Sequence, residues 1–198
     1  MSKVDRDIID VLNKEGSAIL RIALDVDSEP SRVVKEVISV TKRGNNIFLS
    51  GVGKCSFIAE KLAATYCSLG IPSFSLHCTH SLHGDIGAVR SDDLVIIFSK
   101  SGETIEVVEL ARVLKKFKAL SVAITCVRES TLSRICDLRV VLPVKDEADA
   151  LNLAPTVSTT AMLAMGDAIG VVASKYLGFS KSEFNKRHPR GKLGEVSR

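Results

Sequence analysis

The sequence predicts an α/β fold, a doubly wound five-stranded parallel sheet flanked by helices on both faces. Five short apolar runs alternate with longer segments in which apolar residues recur at helical spacing. The run 94–98 is apolar throughout, which is typical of a strand buried on both faces. Because each intervening helix returns the chain to the same edge of the sheet, strands in this alternation run parallel.

Two amphipathic helices are expected before the first strand, over residues 5–24 and 29–41. Pro30 falls in the first turn of the second helix, where a missing N–H is tolerated. Both segments carry apolar residues at helical spacing, namely Ile8, Val11, Leu12, Ile19, Ile22 and Ala23 in the first, and Val33, Val34, Val37 and Ile38 in the second.

The later elements follow from the same periodicities and from the turn residues between them. Gly70 and Pro72 end the third helix, and the segment 158–177 is apolar almost all round, so it must be buried on several sides. Strands are expected at 47–49, 73–77, 94–98, 121–126 and 138–142, helices at about 56–69, 104–117, 132–136 and 158–177, and an irregular loop at 143–155.

Length and composition restrict the classes of function. A chain of 198 residues, 45% hydrophobic, fits one compact domain (1–198) with a polar tail at 180–198. The formal net charge of +4 is spread among interleaved acidic and basic residues, which argues against nucleic acid as a partner. Five scattered cysteines without a Cys-x-x-Cys pair fit a reducing cytoplasm, and neither an export signal nor a membrane-length apolar run is evident.

The expected strand order, 2-1-3-4-5, places a ligand crevice between strands one and three, since the order reverses there. Strand one ends in Ser50-Gly51-Val52-Gly53-Lys54, and strand three ends in the loop Ser99–Thr104. Both loops suit an anion, so this pairing favours a phosphorylated ligand.

The Ser99–Thr104 loop has the composition of a phosphate cradle. The hydroxyls of Ser99, Ser101 and Thr104 can donate to phosphate oxygens, and Gly102 lets the backbone approach closely. The N–H groups that open the following helix face the same anion. Ser and Thr are also the preferred helix caps, so a plain N-cap is the alternative.

The glycine turn after strand one matches neither of the common nucleotide loops. A dinucleotide fingerprint needs a third glycine at Ser56, and a P-loop needs a glycine at Phe48. What remains is a tight turn over Gly51 and Gly53 that presents Lys54, which either holds a phosphate or sugar oxygen or is simply solvated.

Titratable residues cluster near the same predicted edge. His77, His80 and His83 are three residues apart, but no carboxylate spacing typical of a metal site accompanies them, so no metal is expected. His83 and Asp85 bring an imidazole and a carboxylate close together, unless Asp85 only bonds its own turn. Glu147 lies in the loop after strand five, where either a functional carboxylate or a solvated acidic turn is plausible.

These motifs, taken in order over roughly residues 5–195, resemble the sugar isomerase (SIS) domain of D-arabinose 5-phosphate isomerases. The resemblance implies a cofactor-free interconversion of D-ribulose 5-phosphate and D-arabinose 5-phosphate, feeding 3-deoxy-D-manno-octulosonate synthesis for lipopolysaccharide or capsule. It is carried by Gly51-Val52-Gly53-Lys54, Ala63-Ala64-Thr65, His83-Gly84-Asp85, Ser99–Thr104, Leu153–Thr160, Gly166-Asp167-Ala168 and His188-Pro189.

The resemblance also implies site residues. Substrate contacts are expected from the hydroxyls of the Ser99–Thr104 loop, the glycine turn and Asp85, and the proton-transferring base is left open. The catalytic residues implied are Lys54, His83, Glu106, Glu147 and His188, and the binding residues are Ser50, Gly51, Gly53, Ser99, Ser101, Gly102, Thr104 and Asp85.

Departures from the family pattern bear on substrate preference rather than on reaction class. His80-Ser81 stands where a Glu-Ala pair is usual, Asp149-Ala150 near the place of a Cys-Pro pair, and Arg190-Gly191 where two glycines are usual. No tandem CBS modules are expected in this chain, and the resemblance implies a homotetramer with shared active sites. The alternatives are a 3-hexulose 6-phosphate isomerase and a non-catalytic sugar-phosphate sensor.

Overall fold

A computed structural model describes residues 1–187 and shows a parallel sheet between two helical layers. Fourteen elements follow one another: α1 (Lys3–Leu24), α2 (Glu29–Lys42), β1 (Ile47–Gly51), α3 (Lys54–Ser68), β2 (Ser73–His77), α4 (Cys78–Ser81), a 3₁₀ turn (Asp85–Ala88), β3 (Leu94–Phe98), α5 (Ile105–Phe117), β4 (Leu120–Thr125), α6 (Thr131–Ile135), β5 (Leu138–Val141), α7 (Val157–Tyr176) and α8 (Lys181–Arg187).

The strand order is β2-β1-β3-β4-β5 with every pair parallel, which confirms the predicted fold class. Successive side chains of β3 point to opposite faces. Ile96 and Phe98 join the core beneath α2, α3 and α7, whereas Val95 and Ile97 join the core beneath α5. Burial on both faces explains why β3 is continuously apolar.

Helix α7 is the central helix of the larger core layer. Among residues 1–187 it is the one helix long and apolar enough to cross a membrane, yet 56% of its most apolar window is buried inside the protein. It packs against α1, α2 and α3, and the Tyr66 hydroxyl of α3 donates to the Gly166 carbonyl at 2.9 Å. The apolar character of α7 is therefore explained by its place in the core.

Helix α1 packs differently, because none of its residues is buried. Ala18 and Ile22 touch the core, and Glu15 accepts a hydrogen bond from the Thr160 hydroxyl at 2.8 Å. The rest of its apolar residues stay exposed.

Element boundaries differ from the sequence predictions at two informative places. The third helix begins at Lys54, two residues earlier than expected, so Lys54 opens a helix rather than ending a loop. The expected polar tail begins with α8, in which Glu183 pairs with Lys186 and Arg187 one turn on. Such i,i+3 and i,i+4 pairs support a short helix that lacks an apolar face.

Candidate active site

The topological switch point, where a ligand crevice is expected, lies where the sequence predicts it, between the carboxyl ends of β1 and β3. Gly51 pairs with Phe98 across the two strands, so both following loops leave the sheet at the same level. Strand order reverses at this point, because β2 lies on one side of β1 and β3 on the other. Ligands of open α/β sheets bind at such a reversal.

The loop after β1 brings backbone close to the crevice. A Cβ on Gly51 would lie 2.7 Å from Cys55 Cβ, and Gly53 has φ +60°, which side chains rarely adopt. No side chain caps the first turn of α3, and Lys54 is exposed at its first position. The Cys55 and Ser56 N–H groups already donate to the Val52 and Gly53 carbonyls (3.2 and 3.0 Å), so this helix end offers mainly the Lys54 ammonium.

Ser50, the last serine of β1, has an unmet hydrogen-bonding capacity. Its Oγ is buried and has no hydrogen-bond partner within residues 1–187. Burial raises the pKa of the nearby Cys78 thiol to about 12, although the Ser50 hydroxyl lowers it. The thiol and the hydroxyl are not in hydrogen-bonding geometry. Buried hydroxyls are normally paired, so an orphan beside the crevice is consistent with a ligand contact.

The Ser99–Thr104 loop forms a compact turn that its own serines hold together. Ser99 Oγ accepts from the Gly102 N–H at 3.1 Å, and Ser101 Oγ accepts from the Glu103 N–H at 3.2 Å. Each hydroxyl keeps its own hydrogen to donate. The serines can therefore donate to an anion, but these two backbone N–H groups are already used inside the loop.

Gly102 fixes this loop against the next one. A Cβ there would lie 2.2 Å from Ser130 Oγ, and the residue has φ +66°. Glu103 accepts from the Thr131 N–H at 2.7 Å, which joins the loop to the start of α6. The cradle is thus rigid before any ligand arrives, which lowers the cost of ordering it around an anion.

Thr104 occupies the N-cap position of α5 without capping it. Its side chain makes no cap hydrogen bond, so the plain N-cap alternative is not what the structure shows. The first-turn N–H groups of a helix carry a partial positive charge and attract anions. The uncommitted Thr104 hydroxyl and the uncapped end of α5 together form the part of the cradle that is free to bind.

Glu147 is a buried carboxylate that accepts hydrogen bonds from three residues. Its Oε2 accepts from the N–H groups of Thr156 (2.9 Å) and Ser158 (3.1 Å) and from the Thr156 hydroxyl (3.3 Å). Its Oε1 accepts from the Ser158 hydroxyl (2.5 Å) and from Lys100 Nζ (2.7 Å). The side chain is 0% exposed, so the alternative of a solvated acidic turn is wrong.

This environment decides the charge of Glu147. Burial raises its pKa, but hydrogen bonds from Lys100, Ser158 and Thr156 outweigh burial and lower the pKa to about 2. A carboxylate that holds its charge so firmly is a weak base near neutral pH. In this arrangement Glu147 is suited to hold other groups in place and poorly suited to shuttle protons.

Glu106 is the better-placed carboxylate for proton transfer. It lies half-buried in the first turn of α5, next to Thr104, and makes no ion pair or side-chain hydrogen bond within residues 1–187. Burial is the main cause that raises the pKa of Cys78, and the negative charge of Glu106 is the second. Glu106 therefore lies on the α4 side of the crevice. Glu106 and Glu147 therefore approach the crevice from different sides.

Three of the four histidines lie within the described residues, in and beside α4. His83 and Asp85 are both exposed, and Asp85 makes no hydrogen bond with its own turn within residues 1–187. His77 stacks on His80 with ring centroids 4.1 Å apart and accepts from its N–H, so this pair caps α4. Within the described part of the chain no three metal-ligating side chains come together. His188 lies outside the described residues.

Sequence reasoning missed Lys100, which lies between the two serines of the cradle. Its carbonyl accepts from the Cys126 N–H at 3.0 Å, and its ammonium reaches Glu147 on the far side of β4. Burial raises the pKa of the Cys126 thiol to about 12, so this neighbour stays protonated. The position of Lys100 inside the cradle was visible in the sequence, whereas its buried partner was not.

Comparison with known proteins finds a family model and relatives that match this chain. The family model of the SIS domain matches residues 40–172. The chain is 43% identical to the arabinose 5-phosphate isomerase KdsD of Shigella flexneri over 148 residues, 75% of this chain and 45% of that protein. It is 37% identical to the arabinose 5-phosphate isomerase KpsF of Escherichia coli, over 92% of this chain and 57% of that protein.

A solved structure is similar over nearly the whole chain. It is described as a protein of E. coli CFT073 in complex with arabinose 5-phosphate, and it superposes with a TM-score of 0.88 at 38% identity, covering 96% of this chain and 100% of the other. The chain spans about half the length of the curated relatives that it matches.

Proposed function

The chain belongs to the SIS domain family, and from this premise we propose that it interconverts D-ribulose 5-phosphate and D-arabinose 5-phosphate. The observation that carries the proposal is the pre-formed cradle of Ser99, Ser101 and Thr104 at the uncapped end of α5. Support comes from the similar structure in complex with arabinose 5-phosphate, which matches this chain almost completely. Both sugars carry the phosphate that such a cradle binds.

The reaction needs one proton moved between neighbouring carbons. A base removes a proton from C1 of the ketose and the enediolate forms. A proton then returns to C2, while the O1 hydroxyl proton is lost and O2 gains a proton, so that the carbonyl lies at C1 and the hydroxyl at C2. Among the carboxylates proposed from sequence, Glu106 is half-buried and unpaired within residues 1–187, so we assign it the proton transfer. A positioned base of this kind contributes about 10²–10⁴-fold.

Other groups would stabilise the charge that develops on the sugar oxygens. Lys54 stands exposed at the first turn of α3, across the crevice from α5, and an ammonium there can face the enediolate. Ser50 is placed to bond a substrate oxygen, since its buried hydroxyl has no other partner within residues 1–187. His83 and His188 remain proposed catalytic residues. No metal is needed for the proton transfer.

The proposal extends to pathway and assembly. The product would supply 3-deoxy-D-manno-octulosonate synthesis, for lipopolysaccharide or capsule, in the cytoplasm. A homotetramer with shared sites is proposed from the family resemblance and from the uncovered apolar face of α1.

A coupled assay tests this function directly. Purified protein is incubated with ribulose 5-phosphate, arabinose 5-phosphate and hexose 6-phosphates, with and without chelator. Turnover of the two pentose phosphates alone, unchanged by chelation, is expected. Turnover of hexulose 6-phosphate instead would favour the related isomerase, and saturable binding without any turnover would favour a sensor.

A further inference from the structure

Among the described residues, Lys100 is the one charged donor to Glu147, and its side chain is partly exposed to solvent. The Lys100 side chain is 36% exposed, whereas the Ser158 donor is buried and the Thr156 donor belongs to the start of α7. An ammonium has three N–H bonds, and within residues 1–187 only Glu147 accepts one of them. The other N–H donors of this ammonium have no acceptor within residues 1–187.

Lys100 is not the only group that stabilises the negative charge of Glu147. Four further hydrogen bonds, two of them from N–H groups at the start of α7, stabilise the same carboxylate. The helix end and the hydroxyls therefore share the negative charge, and much of the positive charge of Lys100 stays available to a ligand.

Pairing also fixes where the ammonium lies. A free lysine loses rotamer entropy when a ligand immobilises it. Here the pair with a buried carboxylate and the loop bonds at the Lys100 carbonyl have already ordered both ends of the residue. Lys54, by contrast, is exposed and unpaired within residues 1–187.

From this geometry we propose that Lys100 binds the phosphate group of the substrate, and that Glu147 is a positioning residue that acts through Lys100. The inference rests on the proposed function for the identity of the sugar, but not for the phosphate. Lysine binds phosphate as a point charge, and Lys100 lies in the same loop as the three cradle hydroxyls.

The test compares five variants: Lys100→Met, Lys100→Arg, Glu147→Gln, the double variant Lys100→Met/Glu147→Gln, and Lys61→Met. Calorimetry gives Kd for inorganic phosphate and arabinose 5-phosphate, and the coupled assay gives KM and kcat. Lys61→Met is the matched control, because it also removes a lysine–carboxylate ion pair. Lys61 pairs at 2.6 Å with Asp167, which lies on α7 nine residues beyond Ser158.

Lys100→Met is expected to raise Kd and KM at least tenfold with kcat changed less than threefold. Lys100→Arg should keep most of the affinity, and Lys61→Met should stay within twofold of the wild type. Because Glu147 acts through Lys100, adding Glu147→Gln to Lys100→Met should weaken binding less than threefold further. Unchanged Kd and KM in Lys100→Met, or a loss confined to kcat, would overturn the proposal.

The double variant keeps the test decisive if Lys100→Met alone does not fold. Lys100→Met alone leaves a buried carboxylate without its ion-pair partner, which is strongly destabilising. Lys100→Met/Glu147→Gln removes both charges, and if this variant folds and binds phosphate as the wild type does, the proposal is wrong.

The two proposals fail separately. A wild type that turns over no sugar but loses phosphate binding in Lys100→Met would refute the isomerase function and support the role of Lys100. Turnover that persists with unchanged Kd and KM in Lys100→Met would do the opposite. Absence of phosphate and sugar-phosphate binding in the wild type would refute both.

Discussion

Single hydroxyls decide whether the Ser99–Thr104 loop holds a phosphate. Ser101 and Thr104 differ in their present use, since Ser101 already accepts from the Glu103 N–H and Thr104 makes no cap bond. A hydroxyl can accept and donate at once, so both residues can still donate to phosphate oxygens.

Replacing Ser101 and Thr104 by Ala should raise KM for arabinose 5-phosphate by at least about tenfold per residue. Each substitution deletes a donor to a charged group, worth about 1.5–3 kcal/mol. Steady-state kinetics measures the effect, and Thr104→Ser, which keeps the hydroxyl, is the matched control. An unchanged KM in the double Ala variant would contradict the phosphate assignment.

A second prediction at the residue scale concerns Glu147 and the dependence of folding stability on pH. Its pKa in the folded protein is about 2 and its ordinary value is 4.5. Because the folded value is lowered, this carboxylate stabilises the fold above about pH 4.5, and the stabilisation is lost as pH falls from about 4.5 towards 2. The difference corresponds to about 3 kcal/mol.

Glu147→Gln should therefore unfold more easily than the wild type at pH 7 and show a flatter dependence between pH 5 and pH 3. Urea unfolding across this range measures both effects. Glu129→Gln, at an exposed position, serves as the control and should follow the wild type. Parallel curves for Glu147→Gln and the wild type would show that the carboxylate is not held as described.

At the scale of elements, α1 carries a mostly apolar stripe that extends beyond the part of the helix that packs on the core. Val4, Ile8, Val11, Glu15, Ala18 and Ile22 follow one another at alternating intervals of four and three, the spacing of a helix seam. The C-terminal half of this stripe packs on the core, whereas Val4 and Ile8 remain 66% and 55% exposed. The uncovered half is suited to bind the same helix of a second copy.

The variant Val4→Glu/Ile8→Glu should reduce the molar mass of the assembly without loss of helix. Two buried charges at a seam between copies have no partners, so association becomes unfavourable. Light scattering coupled to gel filtration measures the mass, and circular dichroism reports the helix content. Arg6→Glu, on the opposite side of α1, is the control, and an unchanged mass in the double variant would exclude this surface.

At the scale of the whole molecule, the remaining question is whether one chain completes its own site. Lys54 and the cradle belong to the described body, whereas His188 lies beyond α8 and outside the described residues. The family resemblance implies that the tail reaches the crevice of a neighbouring subunit.

Complementation tests this sharing. His188→Ala and Lys54→Ala variants, each expected to be nearly inactive, are mixed, unfolded and refolded together, and mixed oligomers should recover part of the activity. Some crevices then combine an intact Lys54 with an intact His188 from a neighbour. No recovery despite proven subunit mixing would mean that His188 acts within its own chain or not at all.

The sequence by itself determined the order of the elements, the parallel sheet and the two loops at its switch point. These features depend on local periodicity and on glycine, serine and threonine at fixed offsets, which need no knowledge of distant contacts. The strand at Leu94–Phe98 and the cradle that follows it are therefore where they were expected.

Only the tertiary structure decided the surroundings of Glu147 and Lys100. These residues are 47 positions apart, and burial at the start of α7 with hydrogen bonds from Thr156, Ser158 and Lys100 turns an apparent acidic turn into a fixed anion. The charge state of a side chain depends on the solvent, charges and donors that surround it, and those come from chain segments that no local pattern brings together.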